Sequence, residues 1–205
     1  MKRRQRKQKD LIAREWRGAE GLAEDVRYSG KWMRDEAEKR IGRLYPKIAV
    51  TAEMVEERPD LEPYRGRELT VIAWLWARTV PSPDPAMAGA HVPLIASYWL
   101  CKKPGKLAWV EPEVDQVGRT WRFRVRSGEV KEKASLDAGT KVGRGAFRCI
   151  LSDVAMPSSY LHEQGVRNEI GARLIAVVAE GDRRRLYLDP SDAQEATARR
   201  TQASW

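Results

Sequence analysis

The sequence predicts an α+β fold with an N-terminal helical segment, an antiparallel β module and a C-terminal helix. Three observations support this class. Apolar residues recur at helical spacing before the first proline, β-branched and aromatic runs bounded by Pro and Gly follow, and a helix-capping pattern opens the last segment. The 205 residues suit one domain, or one domain with a helical appendage.

Residues 11–45 are predicted to be helical. The residues of their apolar stripe lie three, four or seven positions apart and are Leu22, Val26, Met33, Ala37, Ile41 and Leu44. Pro46 ends the pattern. The basic residues 1–10 are predicted to form a disordered tail, and the charged, proline-bearing residues 46–69 a surface linker.

The β-rich module is predicted over residues 70–189, beginning with a buried strand at Thr70–Val80. After a turn at Gly118, the strand Arg119–Arg126 alternates aromatic or aliphatic residues with polar ones, as a strand with one buried face does. Further predicted elements are strands at His91–Lys102, Leu107–Glu111, Phe147–Leu151, Arg173–Glu180 and Arg183–Leu188, with a short helix at Ser158–Gln164. Residues 190–205 are predicted to form the C-terminal helix, because Ser191 and Gln194 have capping-box spacing.

The charge balance permits a polyanionic partner. The chain has 38 Lys and Arg against 29 Asp and Glu, a net charge of +9. Three arginines on one strand face repel one another unless phosphate or carboxylate neutralises them. The residues predicted to contact such a partner are these three and three further cations, Arg122, Arg124, Arg126, Lys141, Arg144 and Arg148, with Arg183, Arg184 and Arg185 as additional candidates. The alternative is an ordinary solvated strand face.

Two short turns have the spacing of zinc knuckles. Zinc ribbons pair cysteines as C-x(2–4)-C on two turns, but here the first turn offers Ser82 and Met87 and the second Cys149 and Ser152. One thiol in four positions does not hold a structural zinc. The β module is therefore predicted to be a degenerate zinc ribbon without a metal.

Several other classes of protein find no support. Cys101 and Cys149 allow at most one disulfide, and no apolar run approaches the ~20 residues of a membrane span, so a cytoplasmic protein is expected. The glycine-rich run 139–145 lacks the GK[ST] ending of a P-loop. His91 and His162 have no nucleophile pattern nearby. No catalytic or cofactor-binding residue is predicted in this chain.

Long, ordered strings of the chain resemble the large adenine-specific DNA methylases that carry a zinc-ribbon-like insert and an N-terminal domain of unknown function. The strings are LAEDVRYSGKWMRDEAEKRIGRLYPK, TVIAWLWARTVPSPDPAMAGAHVPL, KLAWVEPEV, AGTKVGRGAFRCILSD and IGARLIAVVAEGDRRRLYLDPSDAQEA. The resemblance extends over residues 11–205 and corresponds to the insert region of those enzymes.

The resemblance implies S-adenosylmethionine as the cofactor of the full-length enzymes, which place a glycine motif before this region and a DPPY-type motif after it. Neither motif occurs in this sequence. The chain is therefore expected to be a methylase fragment, a DNA-contacting or scaffold module without methyl transfer of its own. The alternative is a protein-interaction module that completes a split methylase in trans. Whether the chain has activity of its own stays open at this point.

Overall fold

The computed structural model describes residues 18–200 except positions 116, 131, 132 and 183. It has the α+β architecture that the sequence predicts, with a helix at each end of the described chain and antiparallel sheets between them. The predicted tail, residues 1–10, and the predicted helical residues 11–17 and 201–205 lie outside the described residues. The chain divides into two compact units, Met1–Leu44 and Tyr45–Trp205.

In the first unit, helix α1 spans Glu20–Ile41 and ends in a 3-10 turn at Gly42–Leu44, just before Pro46. Its charged side chains form ion pairs one helical turn apart, as between Arg40 and Glu36 at 2.9 Å. None of its residues is buried. The predicted apolar stripe is present but exposed, with Leu22 68% and Met33 63% accessible to solvent.

The second unit contains the sheets. Its strands are β1 Ile48–Ala49, β2 Glu68–Leu69, β3 Val71–Pro81, β4 His91–Leu94, β5 Trp99–Cys101, β6 Ala108–Asp115, β7 Thr120–Ser127, β8 Lys141–Gly143, β9 Ala146–Arg148, β10 Ala155–Met156, β11 Gly171–Gly181 and β12 Arg184–Leu188. Its helices are α2 Ala52–Glu57, α3 Ala134–Asp137, α4 Ser158–Val166 and α5 Asp192–Arg200.

The strands form a β1-β2 pair, a small sheet in the order β10-β9-β8 and two sheets of longer strands. One has four antiparallel strands in the order β12-β11-β3-β4, and the other has three in the order β5-β6-β7. The main apolar cluster takes residues from both sheets, and its members include Val80, Val92, Val110, Phe123, Val125, Leu151 and Met156. The alternation predicted along β7 is confirmed, since Trp121, Phe123 and Val125 are at most 4% exposed.

Residues 46–69 differ from the predicted surface linker. Pro59 begins a 3-10 turn, Pro59–Tyr64, which continues the chain from α2 instead of leaving it extended. The apolar residues of this segment, Val50, Val55, Leu61, Tyr64 and Leu69, are each at most 4% exposed. They pack on strands β11 and β12 through Ala179, Leu186 and Leu188. Segment 46–69 is therefore part of the second unit's core. Its many charged residues and prolines predict a surface linker instead.

Two further predicted elements can be compared with the structure. The single strand expected at His91–Lys102 is divided between β4 in one sheet and β5 in the other. The C-terminal helix begins with the predicted capping box, because Gln194 N donates to Ser191 Oγ at 3.3 Å and Ser191 N donates to Gln194 Oε1 at 3.0 Å. Within the described residues helix α5 spans Asp192–Arg200, and the last part of the predicted range, 201–205, lies outside them.

Candidate nucleic-acid interface

The arginine face of β7 is already neutralised by carboxylates. In the β6–β7 hairpin, Glu113 pairs with Arg122 and Glu111 with Arg124 in register. The Arg122 guanidinium contacts the Glu113 carboxylate, and Arg126 Nε lies 2.8 Å from Glu111 Oε2. Either phosphate or carboxylate is expected from the sequence to neutralise this face. Strand β6 supplies carboxylates.

Arg124 is the most enclosed of the three arginines. Its guanidinium lies 3.3 Å from Glu113 Oε1, 3.4 Å from Asp189 Oδ2 and 3.5 Å from Glu57 Oε2. Burial lowers the pKa of Arg124, but its hydrogen bond to Asp189 and the surrounding carboxylates outweigh burial and raise that pKa. Asp189 also accepts a hydrogen bond from Val125 N at 2.5 Å. Arg124 therefore connects β7 to the end of β12 and is poorly placed to bind an external anion.

The other three predicted contact residues differ from one another. Arg148 on β9 pairs with Asp153 at 2.8 Å. Lys141 and Arg144 are exposed, lie on the β8–β9 hairpin and have no ion-pair partner among the described residues. They line a shallow recess beside Ala96 and Asp137. Of the six predicted positions, these two present positive charge that the described part of the protein does not neutralise.

A more strongly basic cleft, of about 480 Å³, lies between β12 and the ends of β5, β6 and β7. Its charged lining consists of six basic side chains and two carboxylates: Arg58, Lys102, Lys106, Lys133, Arg184, Arg185, Asp60 and Glu129. We call these residues the basic cleft. Such a concentration of one sign of charge in a concave surface attracts anions over distances of a Debye length.

The lining of the basic cleft is positioned by a tight turn and by β12. Lys106 N donates to Lys103 O at 3.0 Å, and Gly105 has φ +71°, a conformation that glycine adopts without strain. From β12, Arg184 donates to the carbonyl oxygen of Asp60 at 3.1 Å and lies over the Tyr64 ring at 5.7 Å. The cleft is therefore attached to the packed segment 46–69 and is not formed by mobile side chains alone.

The basic cleft and the Lys141–Arg144 recess are neighbours. Lys102 lines the cleft and Asp137 lines the recess, and their charged groups are 2.6 Å apart. The hydrogen bond from Lys102, with the charge of that lysine, lowers the pKa of Asp137 against the opposing effect of desolvation. The cleft and the recess thus adjoin through the Lys102–Asp137 ion pair.

The two knuckle-like turns meet in the fold. Ser82 Oγ lies 3.3 Å from Cys149 Sγ, and Met87 packs against the cluster that contains Cys149 and Leu151. The fourth position, Ser152, has a buried hydroxyl. One thiol, one thioether and two hydroxyls are a poor donor set for zinc. The described residues contain no group of three or more His, Cys, Asp or Glu arranged to share a metal ion.

The contact between the two turns predicts a new disulfide in the variant Ser82→Cys. Mild oxidation should join the introduced thiol to Cys149, because the side-chain atoms at these two positions are already in contact. Closing so long a loop stabilises a protein by up to about 4 kcal/mol in the chain-entropy account. Peptide mapping checks the bond, and Ser82→Cys combined with Cys149→Ala is the control. A bridge from the introduced thiol to Cys101 would contradict the described packing.

Comparisons with protein-family models, with curated proteins and with solved structures each gave no match. The methylase resemblance therefore depends on the strings quoted above. Among the described helices, none is both long and apolar enough to cross a membrane.

Proposed function

We propose that this protein is a DNA-contacting module of an adenine-specific DNA methylation system and performs no methyl transfer of its own. The basic cleft supports this proposal most directly, because its six cations and two carboxylates form one concave surface suited to the phosphate backbone. The two motifs that methyl transfer needs in the resembling enzymes do not occur in the sequence. The S-adenosylmethionine site would then belong to another polypeptide or to a longer form of this one.

We assign the principal phosphate contacts to the basic cleft and to Lys141 and Arg144. Arg122, Arg126 and Arg148 each pair with a carboxylate at the surface, so a phosphate would have to displace that partner. Exposed ion pairs are individually weak, about 1 kcal/mol or less, so displacement costs little but also gains little. Within the cleft, Arg58 pairs with Asp60 and Lys102 with Asp137. We assign the cleft's phosphate contacts to its other lining cations, Lys106, Lys133, Arg184 and Arg185.

Duplex DNA titrations at several salt concentrations test this function. Phosphate contacts release counterions, so the logarithm of the association constant should fall linearly with the logarithm of salt concentration. With about four contacts the slope would be near −4. The affinity should depend only weakly on base sequence. A salt-independent affinity, or no binding at low salt, would contradict the proposal.

A second candidate function is a protein-interaction module that completes a split methylase in trans. The observation that favours it is the exposed apolar stripe of α1, where Leu22, Val26 and Met33 are each more than 60% accessible. An amphipathic helix from a separately encoded methylase segment would pair with this stripe. Pull-down with the neighbouring gene products discriminates the two functions, and Leu22→Glu/Met33→Glu should abolish capture while leaving DNA affinity unchanged.

We also propose a cytoplasmic location. The sequence expectation is supported by Cys101 and Cys149, which are not bridged to each other in the structure.

A further inference from the structure

A second basic groove lies on the opposite edge of the four-stranded sheet, around β4, the start of β7 and the start of β11. Its volume is about 510 Å³. Its polar lining comes from four strands, a turn and α5 and consists of Thr79, His91, Arg119, Thr120, Arg173, Glu195 and Arg199. None of these residues lines the basic cleft. The groove therefore requires an explanation of its own.

Two of the three arginines in the groove have no carboxylate partner among the described residues. Arg199 pairs with Glu195 at 2.6 Å and lies 5.1 Å from the centre of the Trp76 ring. Arg173 instead donates to the carbonyl oxygen of Trp121 at 2.8 Å and stacks over the Trp121 ring at 4.7 Å. Arg119 has no ion pair with a described residue. Arg119 and Arg173 thus leave uncompensated guanidinium donors at one site.

The backbone at Arg119 is unusual for its side chain. Its φ is +54°, in the left-handed region where a residue with a Cβ is disfavoured relative to glycine. Glycine would suit this turn better for stability alone. An arginine in a strained backbone conformation at the rim of a groove points to a use for its guanidinium.

The floor of the groove is formed by closely packed polar groups. Thr79 Oγ1 lies 3.3 Å from His91 Nδ1, and Trp121 Nε1 donates to His91 O at 2.6 Å. A Cβ at Gly171 would lie 2.7 Å from Thr79 Oγ1, so glycine is needed there to leave room for the Thr79–His91 pair. The imidazole of His91 therefore contacts Thr79 and lines the same groove as Arg119 and Arg173.

We propose that this groove binds a compact phosphate group through Arg119, Arg173 and His91. Planar guanidiniums bind phosphate oxygens through paired hydrogen bonds, and an imidazole nitrogen can donate a further one. Two uncompensated arginines match the charge of a phosphate monoester, which is close to −2. The phosphate could belong to a small phosphate ester or to the 5′ end of a nucleic-acid strand.

NMR titration of the full chain with inorganic phosphate tests this site. The His91 ring signals and the Arg119 and Arg173 Nε signals should shift in a saturable manner, with acetate much less effective. Arg119→Gly should weaken phosphate binding at least tenfold, because it removes the guanidinium. Thermal stability should be preserved or raised, because glycine adopts the left-handed backbone conformation at this position without strain. The matched control is Arg167→Gln, which also removes one arginine charge but outside the groove, where Arg167 pairs with Glu163 of α4. This variant should bind phosphate with unchanged affinity.

A second set of ligands distinguishes the two sources of phosphate. Stronger binding of a 5′-phosphorylated oligonucleotide than of its 5′-hydroxyl form, lost in Arg119→Gly, identifies a strand end. Equal binding of both oligonucleotides, with saturable phosphate binding retained, identifies a small phosphate ester. No saturable shift with phosphate, or unchanged phosphate affinity in Arg119→Gly, would overturn the site. Variants of the basic cleft should leave phosphate binding here unaffected, so this result is independent of the proposed DNA contact.

Discussion

Replacing Arg58 by alanine should destabilise the second unit by about 3 kcal/mol. Arg58 is only 9% exposed and forms a paired interaction with Asp60, with Nε–Oδ1 at 2.7 Å and Nη2–Oδ2 at 2.9 Å. Its Nη1 also donates to the carbonyl oxygens of Val125 and Tyr187, each at 3.2 Å. The one guanidinium therefore joins segment 46–69 to strands β7 and β12, and its removal leaves a carboxylate and two carbonyls without that donor.

Denaturant unfolding measures this loss, with Arg65→Ala as the control. Arg65 pairs with Glu62 at 2.7 Å, but both side chains are more than half exposed, so the control should cost about 0.5 kcal/mol or less. Arg58→Lys should recover little of the stability, because an ammonium group cannot reproduce the planar fork. Equal losses in Arg58→Ala and Arg65→Ala would contradict the role given to Arg58.

The effect of Arg58→Ala should also depend on pH. Burial raises the pKa of Asp60, but the hydrogen bonds and charge of Arg58 outweigh burial and hold that pKa below its usual value. A lowered folded-state pKa contributes stability above the unfolded value, near 3.9, and this stability is lost as pH falls through the folded value. The difference between wild type and Arg58→Ala should therefore shrink below about pH 4.

Neutralising the basic cleft should weaken duplex DNA binding roughly 10- to 100-fold at moderate salt. The variant Lys106→Gln/Lys133→Gln/Arg185→Gln removes three cleft charges but leaves Arg58, the principal structural cation, in place. Each lost phosphate contact should reduce the salt slope by about one. Filter binding or fluorescence anisotropy over a salt series measures both quantities.

A variant with the same change in net charge separates local contact from general attraction. Arg122→Gln/Arg126→Gln/Arg148→Gln also removes three positive charges, all from surface ion pairs that lie within the sequence-predicted set. We expect its DNA affinity to change by less than about threefold. If both variants weaken binding equally, net charge and not the cleft determines affinity. A larger loss of DNA affinity in the second variant would show that the arginine face of β7, and not the cleft, contacts DNA.

Much of the β architecture could be read from the sequence because local pattern determines it. Period-2 alternation predicts which face of β7 is buried, and capping-box spacing predicts the start of α5. Even the neutralised arginine face could have been foreseen. A hairpin turning near Gly118 brings Glu113 opposite Arg122, and both residues face the same side of the sheet.

The packed segment 46–69 and the basic cleft could not be read in this way. In 46–69 the buried residues are separated by charges and prolines, so neither helical nor strand periodicity is long enough to detect. The cleft joins Arg58, Lys106, Lys133 and Arg185, which are far apart in the chain. They meet where β12, an edge strand of its sheet, lies beside the ends of β5, β6 and β7. That strand order depends on long-range packing.

Lysine footprinting of the unmodified protein tests the DNA-contacting role most directly. Acetylation of each lysine is measured by mass spectrometry with and without saturating duplex DNA. The account predicts protection of Lys106, Lys133 and Lys141, while Lys31 and Lys39 on α1 react at the same rate in both samples. Protection confined to α1, or cleft lysines that stay fully reactive while DNA is bound, would contradict it.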